Sequence, residues 1–265
     1  MSARIASVGL YLLAGLAGMF ALFYPFITRA VSQPGTNETG FLQVSGTPLL
    51  ATLLVILCLA VLFAELQGQA AGSKTVAALG IMVAATATLR FIEVGIPGPA
   101  GFSPIFAPII LGGYVFGPRF GFLLGSMTML VSAIITGGVG PWLPYQMFTA
   151  GWVGLTAGWL PHLKNTTAEI ALLVAFAFIW GFAYGAIMNL YSWPYLVGDP
   201  RTTWSPESSM ADGLRSYAAF YVTTSLLWDS AAAIGNVILM AALGLPAVRA
   251  LTRFSGRMAF QVQHP

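Results

Sequence analysis

Apolar runs of membrane-crossing length recur from one end of this chain to the other, separated by short polar or Gly- and Pro-rich breaks. An α-helix needs about 20 apolar residues to cross a bilayer, because it rises only about 1.5 Å per residue. On that measure the pattern predicts eight spans, near 5–28, 48–65, 75–95, 103–117, 120–136, 143–160, 168–191 and 216–245. The fourth and fifth are short and rich in Gly and Pro, and the last is long enough to tilt or to run past the membrane. The pattern describes an all-α membrane protein of about eight transmembrane helices and leaves no length for a soluble domain.

The stretch 101–160 organises the rest. It holds three apolar runs and a single charge, Arg119. Its two breaks differ in kind. Phe116-Gly117-Pro118-Arg119 is a tight turn carrying a cation, which suits the cytoplasmic side. Gly137-Gly138-Val139-Gly140-Pro141-Trp142 is uncharged and leads into Pro144, Tyr145 and Gln146, which suits the mouth of a ligand site.

Composition sharpens this picture. The chain is 57% hydrophobic and 7% charged, against about a quarter charged in a soluble domain. The formal net charge of +3 is better read as topology than as a nucleic-acid footprint. With the N-terminus inside, Arg4, Lys74, Arg119, Lys164, Arg249, Arg253 and Arg257 fall on the cytoplasmic side, and Arg29, Arg201 and Arg215 outside. That asymmetry predicts both termini in the cytoplasm of a prokaryotic cell, with outer loops at 29–47, 96–102, 137–142 and 192–215. The last of these carries Trp193, Pro194, Tyr195, Trp204, Asp199, Glu207 and Asp212. Such a segment reads either as a lid over a pocket or as a surface loop at the aromatic belt. Met1 to Ile27 reads as a retained helix, since its apolar part is long for a signal peptide and no small-x-small cleavage site follows.

Catalytic chemistry is poorly supported. Gly68 to Thr75 resembles a phosphate-binding loop, but Ser73 separates the Gly from the Lys, and the run follows a membrane helix instead of a strand. Any ATP hydrolysis then belongs to another subunit. His162, His264 and Cys58 form no metal-ligand cluster by spacing, and the lone Cys58 lies in an apolar run, so it makes no disulfide within the chain. No Gly-x-Ser-x-Gly elbow is present, and no second intramembrane acid pairs with Asp229 as in an aspartyl protease. The sequons at Asn37 and Asn165 fall on opposite sides of the predicted topology and carry no weight.

Charge inside a span is costly and marks a functional candidate. Arg90 and Glu93 are three apart, on one helix face, and can pair. Asp229 sits beside Trp228 in the middle of the last predicted span, with Asn236 two turns further on the same face. Asn189 lies near the outer end of the seventh span. Either Arg90 and Asp229 pair between helices and hold the bundle, or they line a ligand cavity with Asn236 deeper. Both can hold at once. Small residues gather in the third span at Ala77, Ala78, Gly80, Ala84, Ala85 and Ala87, where they permit close helix contact within the bundle or with a partner.

The runs Phe106-Ala107-Pro108, Gly112-Gly113-Tyr114-Val115-Phe116-Gly117-Pro118, Gly121-Phe122 and Gly125, then Gly140-Pro141-Trp142-Leu143-Pro144-Tyr145-Gln146-Met147, then Gly151, Gly154 and Ala157-Gly158 resemble the substrate-binding S component of an energy-coupling factor (ECF) vitamin transporter. The GPW turn, with Phe220-Tyr221, Thr224-Ser225, Trp228-Asp229 and Ala233-Ile234-Gly235-Asn236, is most similar to the cobalamin-type branch. The resemblance covers about 74–257. It implies a six-helix core, here 71–258, preceded by two extra helices in 1–70 and followed by a tail at 259–265. It further implies a pocket capped by extracellular loops and filled by a transported vitamin, most similar to cobalamin or a related corrinoid, with no resident cofactor and no enzymatic activity. The implied partners are a T scaffold subunit and two ATPases. The third span would dock the scaffold through Ala77, Ala78, Ala84 and Ala85, although Ile81 interrupts the small-residue spacing.

The substrate-binding candidates are accordingly Arg90, Glu93, Phe106, Trp142, Tyr145, Gln146, Trp193, Tyr195, Trp228, Asp229 and Asn236. An aromatic, Gly-rich mouth with one amide suits a flat, partly apolar guest. The rival expectation is a secondary transporter driven by an ion gradient, which predicts titrating membrane acids and an internal repeat. Asp229 is one such acid; no convincing repeat is evident.

Overall fold

Where the chain breaks its apolar runs, the backbone demands the residues found there. A computed structural model describes residues 73–96, 102–196 and 198–258, with isolated helical positions at 15, 16, 18–20, 22, 23, 26 and 56. Most of the two predicted N-terminal spans, the 29–47 loop, Cys58 and the tail at 259–265 lie outside the described residues. Among those described are seven α-helices: α1 (Ser73–Gly95), α2 (Phe106–Phe116), α3 (Pro118–Thr136), α4 (Leu143–Ala157), α5 (Thr166–Ser192), α6 (Met210–Thr224) and α7 (Leu226–Met258). A short 3-10 turn, Trp193–Tyr195, follows α5. The protein is an all-α membrane protein.

Both breaks in the central stretch are glycine-made. Gly117 ends α2 at φ 95°, and Pro118 opens α3, where its missing N–H costs nothing. Gly137 caps α3 in the left-handed region at φ 67°, its N–H donating to the Ala133 carbonyl. Asn165, one of the two sequon asparagines, caps α5 by accepting from the Thr167 and Ala168 amides.

Four described helices are long and apolar enough to cross a membrane: α1, α3, α5 with its 3-10 extension, and α7. α2 and α4, at 11 and 15 residues, are shorter. The predicted final span needs correction. The chain turns at Ser225, so 216–245 is not one helix but the end of α6 and the start of α7. α7 then continues for 33 residues through Pro246, about 50 Å at 1.5 Å per residue, well beyond a hydrocarbon core of about 30 Å.

The core lies between α2, α3 and α4, whose backbones nearly touch. A Cβ on Gly113 or Gly121 would strike the Gly154 carbonyl oxygen, and one on Gly125 the carbonyl of Ala150. In lipid, where apolar surface gains little by leaving the solvent, close backbone approach of this kind supplies the association. Tyr114, Phe122, Leu124, Met147 and Phe148 fill the remaining space, each no more than 2% exposed. α1 leans on this layer through Leu79, Val83 and Ala87. α5 and α7 pack antiparallel, Gly181 against Ala233 and Gly185 against Asp229. From the N-terminal region, Gly18 faces Phe148 and Trp152, and Phe26 meets the rings of Trp193 and Trp204 at 5.9 and 5.2 Å.

These contacts define two ends. At one, Tyr114 donates to Glu169 at 2.6 Å and stacks on His162, and Phe116 meets Phe254. Lys74, Arg119, Lys164, Arg249 and Arg253 belong to this end by their places on the helices. At the other, the Tyr145 and Tyr191 rings meet at 4.3 Å with their planes tilted, and α6 is tied to α5 and α7 through its Tyr217 and Tyr221 hydroxyls. The neutral bend at 137–142 is therefore at the end opposite the arginine-bearing terminus of α7.

Candidate functional site

The end carrying the neutral bend opens into a cavity of about 260 Å³. Its walls come from five places in the chain: Arg90 and Glu93 from the last turns of α1, Ser103 and Phe106 at the start of α2, Gln146 from α4, the 181–189 face of α5, and Ser225 to Ala232 where α7 begins. Gly181 and Gly185 thin the α5 wall. A side chain at 185 would collide with the Asp229 carboxylate, so glycine is what lets that carboxylate sit against α5.

The polar groups are held by hydroxyls. Ser103 Oγ donates to Glu93 Oε2 at 2.7 Å. Tyr221 Oη, from α6, donates to Asp229 Oδ2 at 2.7 Å. Asn189 Nδ2 donates to Ser225 Oγ at 2.6 Å, tying the end of α5 to the α6–α7 turn. Phe106 and Tyr184 meet edge to face at 4.7 Å and supply an aromatic wall. Below Asp229 on α7, Asn236 is 1% exposed, and neither its Oδ1 nor its Nδ2 has a partner among the described residues.

Six of the eleven sequence candidates line this cavity: Arg90, Glu93, Phe106, Gln146, Trp228 and Asp229. Five do not. Trp142 donates its Nε1 to Gly138 and covers the bend. Tyr145 is 3% exposed against Tyr191. Trp193 is buried, donating its Nε1 to the Thr202 carbonyl at 2.8 Å, and Tyr195 closes the same 3-10 turn. Asn236 lies beneath the lining. The pairings expected of the charges are also corrected. No ion pair within 4.0 Å joins Arg90 to Glu93 or to Asp229 among the described residues, although the Arg90 charge acts on Glu93 from further away; Ser103 and Tyr221 donate to the two carboxylates. Asp229 sits in the first turn of α7, not at mid-span. The segment expected as a loop to 215 becomes helical from Met210. Ser103, Tyr184, Tyr221 and Ser225 were not foreseen. A hydroxyl beside a carboxylate is visible in the sequence only when the two are neighbours, and these pairs meet across elements.

On that long segment, Asp199 accepts from Arg201 Nη2 at 2.8 Å, and this bond holds its carboxyl down to about 2. Among the described residues, no three His, Cys, Asp or Glu side chains gather as a metal site would require. On α1, Ala77, Ala84 and Ala85 face outward, whereas Ala78 is packed inside at 2% exposure. The outward face also holds Gly80, where an added Cβ would meet nothing.

The fold is that of a multi-pass helical membrane protein with a cavity at one end, walled by donors, acceptors and rings. A family model for the ECF transporter substrate-specific component matches residues 74–244, more than half of the chain, and the chain belongs to that family. It is thus a transporter component, a substrate-binding subunit whose family works with an ECF module. No curated protein and no solved structure matches the chain.

Proposed function

We propose that this chain captures a vitamin at the outer face of a prokaryotic cell membrane and delivers it inward when a scaffold subunit and two ATPases supply the work. The observation that carries this reading is the polarity of the bundle. The cavity opens at the end with the neutral bend, while Lys74, Arg119, Lys164, Arg249 and Arg253 gather at the other. By the excess of Lys and Arg on cytoplasmic sides, the cavity end faces out and the end of α7 faces in. The outward small-residue face of α1, through Ala77, Gly80, Ala84 and Ala85, suits close docking of a scaffold helix.

The GPW turn supports a corrinoid as substrate, as the resemblance implies. Cavity size favours a smaller vitamin. At about 260 Å³ the cavity falls below the roughly 300–1,000 Å³ of pockets that enclose drug-sized ligands, so a corrin ring would extend beyond it. Arg90 offers donors, Glu93 and Asp229 offer acceptors, and Phe106, Tyr184 and Trp228 offer apolar faces. Together they suit a partly aromatic guest with polar edges.

Purification in detergent followed by mass spectrometry of what co-purifies tests the reading. A vitamin is expected, and a corrinoid announces itself by its visible absorption. Reconstituted uptake should need ATP and the co-expressed module. Uptake by this chain alone on a proton or sodium gradient would overturn the proposal in favour of a secondary transporter.

A further inference from the structure

We infer that Asp229 is the counter-ion of a positively charged group on the substrate, so that the cavity selects a small aromatic cation over a neutral ring or an anion. The inference rests on reading this cavity as the substrate site.

The charges in the lining do not balance. One guanidinium, Arg90, stands against two carboxylates, Glu93 and Asp229. Arg90 and Glu93 lie one turn apart on α1, and the Arg90 charge acts on Glu93. Asp229 belongs to another wall, in the first turn of α7. No cation stands within 4.0 Å of it among the described residues. The cavity therefore has a compensated side, on α1, and an uncompensated side, where α5 meets α7.

A carboxylate on a membrane helix is costly unless something offsets its charge. What Asp229 has is one neutral hydroxyl, Tyr221, which donates to Oδ2 at 2.7 Å, and its Oδ1 has no partner among the described residues. The adjoining ring, Trp228, is 55% exposed and lines the cavity with Phe106 and Tyr184. The face of an aromatic ring attracts a cation and also stacks on a flat guest. A carboxylate with a free oxygen beside such rings suits a cationic ring. An anion would meet Asp229 with no spare positive charge, because Arg90 already offsets Glu93. The guest's uncharged polar edge is left to Gln146, whose amide both donates and accepts.

One ring in three charge states tests this before the substrate is known. Near neutral pH, 1-methylnicotinamide is a cation, nicotinamide is neutral and nicotinate is an anion. The full chain, purified in a non-ionic detergent, is melted with each at matched concentrations up to the millimolar range, and the concentration giving half-maximal protection is read. The cation should protect at roughly ten-fold lower concentration than the neutral ring, as the gain from a charge-assisted bond implies, and nicotinate should not protect. Asp229→Asn should bring the cation and the neutral ring together. Arg90→Gln removes the charge that offsets Glu93 and should widen the gap, which decides the matter if Asp229→Asn fails to accumulate. No protection by the cation, an order led by the neutral ring or the anion, a preference that survives Asp229→Asn, or a gap that Arg90→Gln does not widen would each overturn the counter-ion. The two readings fail separately. A neutral vitamin that co-purifies and is taken up with ATP, while the cation gives no protection, would sink the counter-ion and leave the importer standing. Protection led by the cation, with uptake by this chain alone on an ion gradient, would do the reverse.

Discussion

The layer formed by α2, α3 and α4 and the layer formed by α5 and α7 answer the same question in opposite ways. In the first, helices meet through glycine backbones and large apolar side chains, as at Gly121 against Gly154 and Phe122 against Phe148. In the second, the glycines that bring α5 and α7 together, Gly181 and Gly185, also open space for a carboxylate. One layer uses close approach to pack its helices against each other. The other, with residues from α1, α2 and α4, leaves a cavity of about 260 Å³. Polar groups follow suit. In the first layer Ser126 and Thr149 donate to backbone carbonyls of their surroundings, while the buried Thr128 hydroxyl has no partner among the described residues; in and beneath the cavity it is charged and amide groups, Glu93, Asp229 and Asn236, that retain unused hydrogen-bonding capacity.

The strongest way to break the contrast is to put bulk into the sealed layer. Gly154→Leu places a branched side chain against the Gly121 carbonyl, where no rotamer clears backbone. Overpacking in a fixed core typically costs about 1–3 kcal/mol and more where backbone must move. The expected outcome is loss of the monodisperse peak on size-exclusion chromatography in detergent. Gly80→Leu, on the outward face of α1 where a Cβ meets nothing, should leave that peak intact and instead impair co-purification with the scaffold subunit. If both variants behave alike, the division between packing glycines and surface glycines is wrong.

In the second layer, Asp229→Asn keeps shape and an acceptor for Tyr221 but removes the charge. Hydrogen bonds to charged groups are worth about 1.5–3 kcal/mol, so affinity for the co-purifying vitamin should fall on the order of 10- to 100-fold while the melting temperature stays near that of the parent. A variant that unfolds yet binds normally whatever survives would return Asp229 to a purely structural role.

These differences explain what could be read from the chain beforehand. The positions of α1, α3 and α5 and both glycine breaks were legible because length, hydropathy and Gly-Pro punctuation act locally. The turn at Ser225 was not, since Thr223-Thr224-Ser225 carries no Gly or Pro and the apolar pattern runs on through it. Its cause is tertiary: Asn189 holds Ser225 Oγ, and Tyr221 holds Asp229. Charged residues on apolar helices announce themselves by their cost in lipid, and Arg90, Glu93 and Asp229, singled out on that ground, line the cavity. Trp142, Tyr145, Trp193 and Tyr195 were assigned to the pocket because aromatics at a mouth are ambiguous. An interfacial ring and a binding ring look the same in sequence, and here Tyr145 and Trp193 are buried and lie outside the cavity lining.

Asn236 allows a finer test of the same contrast. A buried amide with no partner costs about 1–3 kcal/mol relative to a satisfied one. Asn236→Leu, of similar size, should therefore raise the melting temperature modestly. If the amide belongs to the floor of the site, the same variant should weaken vitamin binding several-fold. A gain in stability with unaltered binding would place Asn236 in the packing layer.

The smallest effect is expected where charge is most conspicuous. Asp199 and Arg201 form an ion pair at 2.8 Å, but their side chains are 44% and 86% exposed. Solvent and salt screen such a pair, and ordering two exposed side chains offsets much of what attraction remains. The carboxyl of Asp199 is held down at about 2 by its bonds from Arg201. A depressed value means that any stabilisation is present above the ordinary carboxylate range and disappears as pH falls towards 2. Between pH 5 and 8 the pair is fully ionised, so its contribution is constant there, and Arg201→Gln should leave both the melting temperature and its pH dependence unchanged. A clear drop at neutral pH would mean that the segment between the 3-10 turn and α6 is fastened by this pair.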